Sequence, residues 1–234
     1  MSKPYATTHE RLEIDEWKSH LPAPSRANRS IPIRSKGHCV VNAVLGRGHG
    51  QVTEGESYTE YKNLLIVNAD PEVADFRVQA EFLYGLNREH RHYFDVLKTM
   101  LDGRIIAETV KPRARLRSGV FLREMAEIAW WVREFGFADE VRLITEADID
   151  PIDLHNGRVL AGVRLVEAAA LAQARIVVSQ LSGSVSLRDL VNEIALGAPG
   201  YRALLHLLAR NELQLTHRER ITPQSNVRRK EQGK

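Results

Sequence analysis

The pattern of apolar and polar positions divides the chain into two textures. From Glu56 to Asn68 the spacing predicts a helix, with Tyr58, Tyr61, Leu64 and Leu65 on one face, and Asp70-Pro71 ends it. Strand-like stretches follow at Val73–Val78, Ala80–Leu83 and Arg91–Leu97. Asp102-Gly103 is a hairpin turn signal, and Arg104–Val110 reads as the returning strand. Ser118 is placed to cap a second helix, whose stripe Phe121, Met125, Ile128, Val132 and Phe135 advances in steps of three and four before Gly136 stops it. Val141–Ile144 is a short strand, and 145–148 has the pattern of a capping box with Asp148 in place of Glu. Helix, strands, helix and strand together describe a mixed α/β domain of about a hundred residues.

After Pro151 strands give way to helices. Ser186 opens a segment with Leu187, Leu190, Val191 and Ile194 on one face, Gly197–Gly200 breaks it, Tyr201–Asn211 is a second short helix and Leu213–Leu215 a short strand. That is the order of a helix-turn-helix or winged-helix unit, with a plain helical bundle as the alternative. Residues 1–38 read as an arm, proline-interrupted and basic, with Arg26, Arg29, Arg34 and Lys36 lacking nearby acid. It is either a solvated, partly disordered tail or a segment that tracks a DNA backbone. Gly46–Gly50 is glycine-rich but has no Lys-Ser/Thr after it, so a flexible loop is expected and a P-loop is not. The basic run Arg228, Arg229, Lys230 opens a polar tail.

Composition narrows the classes. The chain has 234 residues, and 43% hydrophobic content suffices for a packed core. A net charge of +3 makes it no polycation, although the pI near 9.1 leans basic. Cys39 is the single cysteine, which excludes an internal disulfide or a Cys-based zinc site and suits a half-buried residue in a reducing compartment. The first residues lack a secretory apolar core and no run is apolar enough to span a bilayer, so a cytoplasmic location with no membrane partner is expected.

Chemistry is concentrated in Glu60, Asp95 and Lys111. Asp95 ends an apolar strand, Lys111 ends the strand across the hairpin, and Glu60 lies on the preceding helix with Glu56 one turn earlier on the same side. Phosphodiester hydrolysis needs hard oxygen ligands for Mg2+ and a cation near the attacking water or the phosphate; carboxylates supply the first and a lysine the second. Arg113, Arg115 and Arg117 follow at every second position, either as a solvated edge or as a phosphate-facing, DNA-binding row. His90 and His92 flank Arg91 without a third metal ligand, and one of Trp130 and Trp131 is expected in the core.

The run ESYTEYKNLLIVNADPEVADFRVQAEF, then HYFDVL, DGRIIAETVKP and VRLITEADI, resembles the N-terminal domain of TnsA-type transposon endonucleases, members of the PD-(D/E)xK restriction-endonuclease-like superfamily. SLRDL, GYRALLHLLARNEL and TPQSNV resemble that family's C-terminal domain, so the likeness spans roughly residues 52–228. It implies a restriction-endonuclease-like mixed sheet flanked by helices, followed by a small helical, winged-helix-like domain. The divisions are 1–38 (arm), 39–155 (endonuclease-like) and 156–234 (helical docking domain with basic tail). It further implies Glu60 as the helix carboxylate, Asp95 as metal ligand and Lys111 as catalytic lysine, with Mg2+, or Mn2+ in its place, as cofactor. Double-stranded DNA, an integrase-type transposase subunit and an ATP-dependent transposition regulator are the implied partners.

One departure matters. The superfamily keeps an acid or Gln two residues before the lysine, and here that position is Thr109; the nearest acid, Glu108, is carried as a third candidate metal ligand. Strand alternation puts Lys111 on the face of Thr109, not of Glu108. A two-residue turn at 102–103 would oppose Asp95 to Val110, whereas a three-residue loop, 101–103, opposes it to Thr109; the active-site reading prefers the longer loop or a bulge. Two other readings stand beside the transposase nuclease: a catalytically degenerate DNA-binding or assembly protein of the same fold, and a standalone defence or repair nuclease.

Overall fold

A computed structural model describes residues 21–29, 31 and 39–230. The described residues form a mixed α/β structure with seven helices. The hairpin β1 (Val41–Leu45) and β2 (Gln51–Gly55) comes first, then α1 (Tyr58–Ala69), β3 (Val73–Tyr84), β4 (His90–Met100) and β5 (Ile105–Val110). After α2 (Arg113–Leu116) and α3 (Val120–Glu134), β6 (Glu140–Ile144) completes a four-stranded sheet in the order β3-β4-β5-β6. Its first two pairings are antiparallel and β5–β6 is parallel, because α3 carries the chain back across the sheet.

The two helices cover opposite faces. Leu64, Leu65 and Val67 of α1 pack with Phe76, Val78 and Val96, while Phe121, Met125, Ile128 and Val132 of α3, the predicted stripe, pack with Ala80, Phe82, Phe94 and Ala107. Trp131 joins the α3 cluster and Trp130 stays exposed. Regular alternation would keep Phe76, Val78, Ala80 and Phe82 on one face. They divide because Gln79 has a left-handed φ of 50°, which turns β3 over in mid-strand. The two predicted strands on either side of Gln79 are therefore one strand with a reversal of face.

Several expectations need correction. Gly46–Gly50 is the turn of the β1–β2 hairpin, which the sequence pattern did not signal. Arg26 and Arg29 find acids after all: residues 21–29 lie along β2 and β3, with Ala23 N–H donating to Gly50 O and Asn28 N–H to Gln79 O. Arg26 forks onto Asp75 at 2.7 and 2.8 Å, and Arg29 pairs with Glu56 at 2.9 Å. Arg34 and Lys36 lie outside the described residues, as does most of the expected arm. Cys39 is exposed rather than half-buried.

The carboxy-terminal half has its own core, in which Val163, Ala174, Leu187, Leu190, Leu204, Leu207, Leu213 and Val227 are buried. It contains α4 (Pro151–Ala161), α5 (Ala168–Ser179), β7 (Ser184–Ser186), α6 (Leu187–Ile194), α7 (Ala198–Ala209), β8 (Leu213–Leu215) and β9 (Asn226–Arg229). The three strands form an antiparallel sheet with β9 in the middle. The expected boundary between 155 and 156 falls inside α4, a helix capped by Asp150 and started by Pro151. This helix belongs to both halves: Leu154 and Ala161 pack beside the α1 core, and Val159 and Leu160 beside the carboxy-terminal one. Gly157 permits the close crossing, since a Cβ there would stand 2.6 Å from Leu65 O.

Candidate functional site

Glu60 is fixed by the start of α1. Ser57 is the N-cap: its hydroxyl accepts the Glu60 N–H at 3.1 Å and donates to Glu60 Oε1 at 3.0 Å. The Glu56 N–H donates to Glu60 Oε2 at 2.8 Å. This is a capping box shifted by one residue, which turns the carboxylate back toward the helix start. Glu56 itself precedes the cap, so it is not one turn earlier on the helix as its spacing suggests; its side chain pairs with Arg29.

Asp95 lies where β4 and β5 part. Met100 N–H donates to Arg104 O, so the connection is the three-residue loop 101–103. The pairing runs from Thr99↔Ile105 to Val96↔Glu108, a register that continued by one step brings Asp95 opposite Thr109. Instead of a backbone partner, the Val110 N–H finds the Asp95 side chain, donating to Oδ2 at 2.7 Å. Lys111 Nζ stands 3.4 Å from the same oxygen, and Gln79 Nε2 donates to Oδ1 at 3.3 Å. Lys111 is held in turn by its N–H bond to Ile144 O of β6.

The three predicted residues thus meet in one place, and their electrostatics are coupled. Burial first, and then the neighbouring Asp95 charge, push the Glu60 carboxyl up to about 7, against the Glu56 N–H, the Ser57 hydroxyl and the Lys111 charge. Asp95 is also pushed up by burial, opposed by Lys111, the Val110 N–H and Gln79. Two carboxylates are held in a poorly solvated position beside one lysine, which stabilises a bound cation or proton there.

Glu108 is not turned to this cluster. Its Oε1 pairs with Lys98 at 2.6 Å and its Oε2 accepts from Asn63 at 2.8 Å, so both oxygens are engaged in a buried ion pair under α1. Thr109 is fully buried, and its hydroxyl shares a hydrogen with His92 Nε2 at 3.0 Å. Burial pushes the His92 ring down to about 4, helped by the charges of Lys111 and Arg29, so it is neutral near pH 7. Arg113 and Arg115 lie in α2 and Arg117 directly follows it, so the expected every-second-residue row does not form; a helical turn puts Arg113 and Arg117 on one side and Arg115 on another.

Sequence reasoning missed Gln79, His92 as a partner of Thr109, and Arg29, whose Nε donates to Gln79 Oε1 at 2.6 Å. Nothing in the sequence marks Gln79, because Phe76, Val78, Ala80 and Phe82 keep a regular apolar alternation through it. Among the described residues no three His, Cys, Asp or Glu side chains group as a metal-holding set, and no helix is long and apolar enough to cross a membrane. No protein-family model and no curated protein matches the chain.

Proposed function

We propose that the chain is a metal-dependent DNA endonuclease that hydrolyses phosphodiester bonds, working as the cutting subunit of a heteromeric transposase at transposon ends. The supporting observation is the meeting of Glu60 and Asp95, both buried, with Lys111 at the point where β4 and β5 part. In this reading the sheet with α1 and α3 on its faces is restriction-endonuclease-like.

The donor set suits Mg2+, or Mn2+ in its place. Mg2+ is commonly held by one or two carboxylates plus substrate phosphate and water, so a complete protein cage is not needed. Glu60 and Asp95 are hard oxygen donors whose burial disfavours two bare charges, and a divalent cation between them relieves that. When bound it supplies a polarised water and a counter-charge for the phosphate. Lys111, anchored through its backbone to β6, holds a phosphate oxygen or the attacking water. Glu60, with its proton equilibrium near neutrality, can take up or release a proton at the carboxylate.

The carboxy-terminal unit is read as a winged-helix docking domain, on the element order β7-α6-α7-β8-β9 and the central position of β9. The partners in this reading are double-stranded DNA, an integrase-type transposase subunit and an ATP-dependent regulator.

A supercoiled-plasmid nicking assay with Mg2+ or Mn2+ tests the reading, run with and without an integrase-type transposase subunit and an ATP-dependent regulator. Wild type should relax the plasmid, and Lys111→Ala, a change at a partly exposed side chain, should fold and fail. Intact plasmid under all these conditions would favour the second reading, a DNA-binding or assembly protein with a degenerate site. That reading draws on Thr109 and on the engagement of Glu108 with Lys98 and Asn63.

A further inference from the structure

Backbone pairing between β4 and β5 extends only as far as Val96↔Glu108. Beyond it, β4 runs on through Phe94 to His90 paired with β3, while β5 leans toward β6 through Val110↔Ile144 and the Lys111 N–H bond to Ile144 O. The strands fork, and Asp95 and Lys111 stand on the two sides of the fork. Side-chain hydrogen bonds cross it: Asp95 Oδ2 takes the Val110 N–H, and His92 Nε2 meets Thr109 Oγ1.

We propose that His92 and Thr109 form a strut that sets the opening of this fork and so holds Lys111 against Asp95, which makes His92 a positioning residue. Thr109 lies near the end of β5, two residues before Lys111, which directly follows the strand, so what fixes Thr109 constrains the lysine backbone. A buried hydroxyl left without a partner costs about 1–3 kcal/mol, and His92 is the partner this one has. The ring cannot swing away freely, because Phe94, fully buried, packs against it edge-on at 4.7 Å. Either tautomer serves, since a hydroxyl both donates and accepts. The position at which the superfamily keeps an acid is here used to hold the geometry.

The effect on cleavage rests on the nuclease reading, but the strut can be tested without it. In the full-length chain, amide hydrogen exchange at Val110 is compared with that at Ile106 and Ala107, which lie in the paired part of β5. Thr109→Val and His92→Leu should each speed Val110 exchange about tenfold or more, a local opening of roughly 1.4 kcal/mol, while Ile106 and Ala107 keep their protection. Thr109→Ser should restore protection, and the double variant should be no worse than either single one, as expected of two residues acting as one unit. In the nicking assay kcat should fall about tenfold with KM unchanged. Unchanged Val110 exchange in the single variants overturns the strut, and so does equal loss of protection at Ile106 and Ala107, which marks the pair as general packing. A wild-type protein that does not cut DNA speaks against the nuclease reading and leaves the exchange result intact.

Discussion

Gln79 and Asp95 face each other in the one row of the β3–β4 pair where both strands turn over. The neighbouring pairs are Val78↔Val96, on the α1 side, and Ala80↔Phe94, on the α3 side. Gln79 takes the strain in its backbone, at φ 50°, and its amide donates to Asp95 across the row. Arg29 holds the other end of that amide, so residues 21–29 reach Asp95 through a chain of hydrogen bonds and Glu60 through the pairing of Arg29 with Glu56.

Strain at a buried non-glycine residue in the left-handed region costs roughly 1–2 kcal/mol, and more for a β-branched side chain. Gln79→Val should therefore destabilise by about 2 kcal/mol or more, while Gln79→Gly should cost less because relief of strain offsets the missing hydrogen bonds. Urea denaturation of both variants checks the order. Equal losses would show that the backbone conformation, as opposed to the amide, contributes nothing.

Asp95 serves structure as well as the proposed chemistry. Asp95→Ala leaves the buried Val110 N–H without its acceptor, so a loss of about 1–3 kcal/mol is expected in addition to loss of cleavage. This revises what the strand-end position alone suggests, that the carboxylate serves a metal more than the fold. A melting curve matching wild type would show that Val110 finds another acceptor.

Glu60 and His92 give opposite pH dependences, measurable in EDTA. Between about pH 4.5 and 7 the unfolded chain has released the Glu60 proton and the folded chain keeps it, so stability falls as pH rises through that window. Glu60→Gln should remove this loss, gaining on wild type by at most on the order of 3 kcal/mol at pH 8 and by little at pH 4.5. For His92 the unfolded ring takes a proton from about pH 6.5 downward while the folded ring stays neutral to about 4, so stability is lost as pH falls. His92→Gln should gain on wild type toward pH 4.5 and not at pH 8. Parallel pH profiles for wild type and either variant would refute the corresponding assignment. Added Mn2+ should raise the wild-type melting temperature more at pH 8 than at pH 6, because binding favours the ionised carboxylates.

Much of the site was legible because local rules set it. The helix that carries Glu60, the hairpin around Gly103 and the apolar stripe of α3 are short-range patterns, and the lysine's face follows from strand alternation, whereas apolar spacing did not mark Ser57 as the cap that turns Glu60 back. Of the two arrangements that the Asp95–Lys111 site preferred, a longer loop or a bulge, the loop of 101–103 is the one observed. What was not legible depends on long-range contact. Gln79 is ordinary in composition, and only the packing of two helices on opposite faces shows why β3 must turn over there. Arg26 and Arg29 looked unpartnered because Asp75 and Glu56 are distant in sequence. Glu108 looked like the available acid until Lys98 and Asn63 were seen to engage it. Pro112 after Lys111 hid a helical turn, so the arginine row was read as strand.

That turn changes what the arginines should do. If Arg113 and Arg117 contact phosphates together, the double Ala variant should lower the salt dependence of DNA binding by a slope of about 2, close to 0.9 for each phosphate that is no longer neutralised. Arg115→Ala alone should then matter less. Titration of binding against salt concentration measures this, and an unchanged slope in the double variant would remove both residues from the proposed interface.

The second helix of the helix-turn-helix order, α7, is committed to the fold. Its Leu204, Leu205 and Leu207 are buried, Arg202 donates to Gly162 O and Leu165 O, and His206 Nδ1 lies 2.8 Å from Val163 O. These bonds hold the segment between α4 and α5, and they occupy the two polar side chains best placed to read a base edge. Arg210, just past the helix, and Asn211 remain as polar groups. Arg202→Ala and His206→Ala should therefore lower stability, by about 1 kcal/mol each for the missing hydrogen bonds, and leave DNA affinity unchanged. Binding by the whole chain should fall steeply with salt and be indifferent to sequence, as phosphate contacts are. Competition between one short duplex and random DNA at physiological salt checks this. If the chain selects one sequence and Arg202→Ala abolishes the selection, α7 enters a major groove and the docking role gives way to sequence readout.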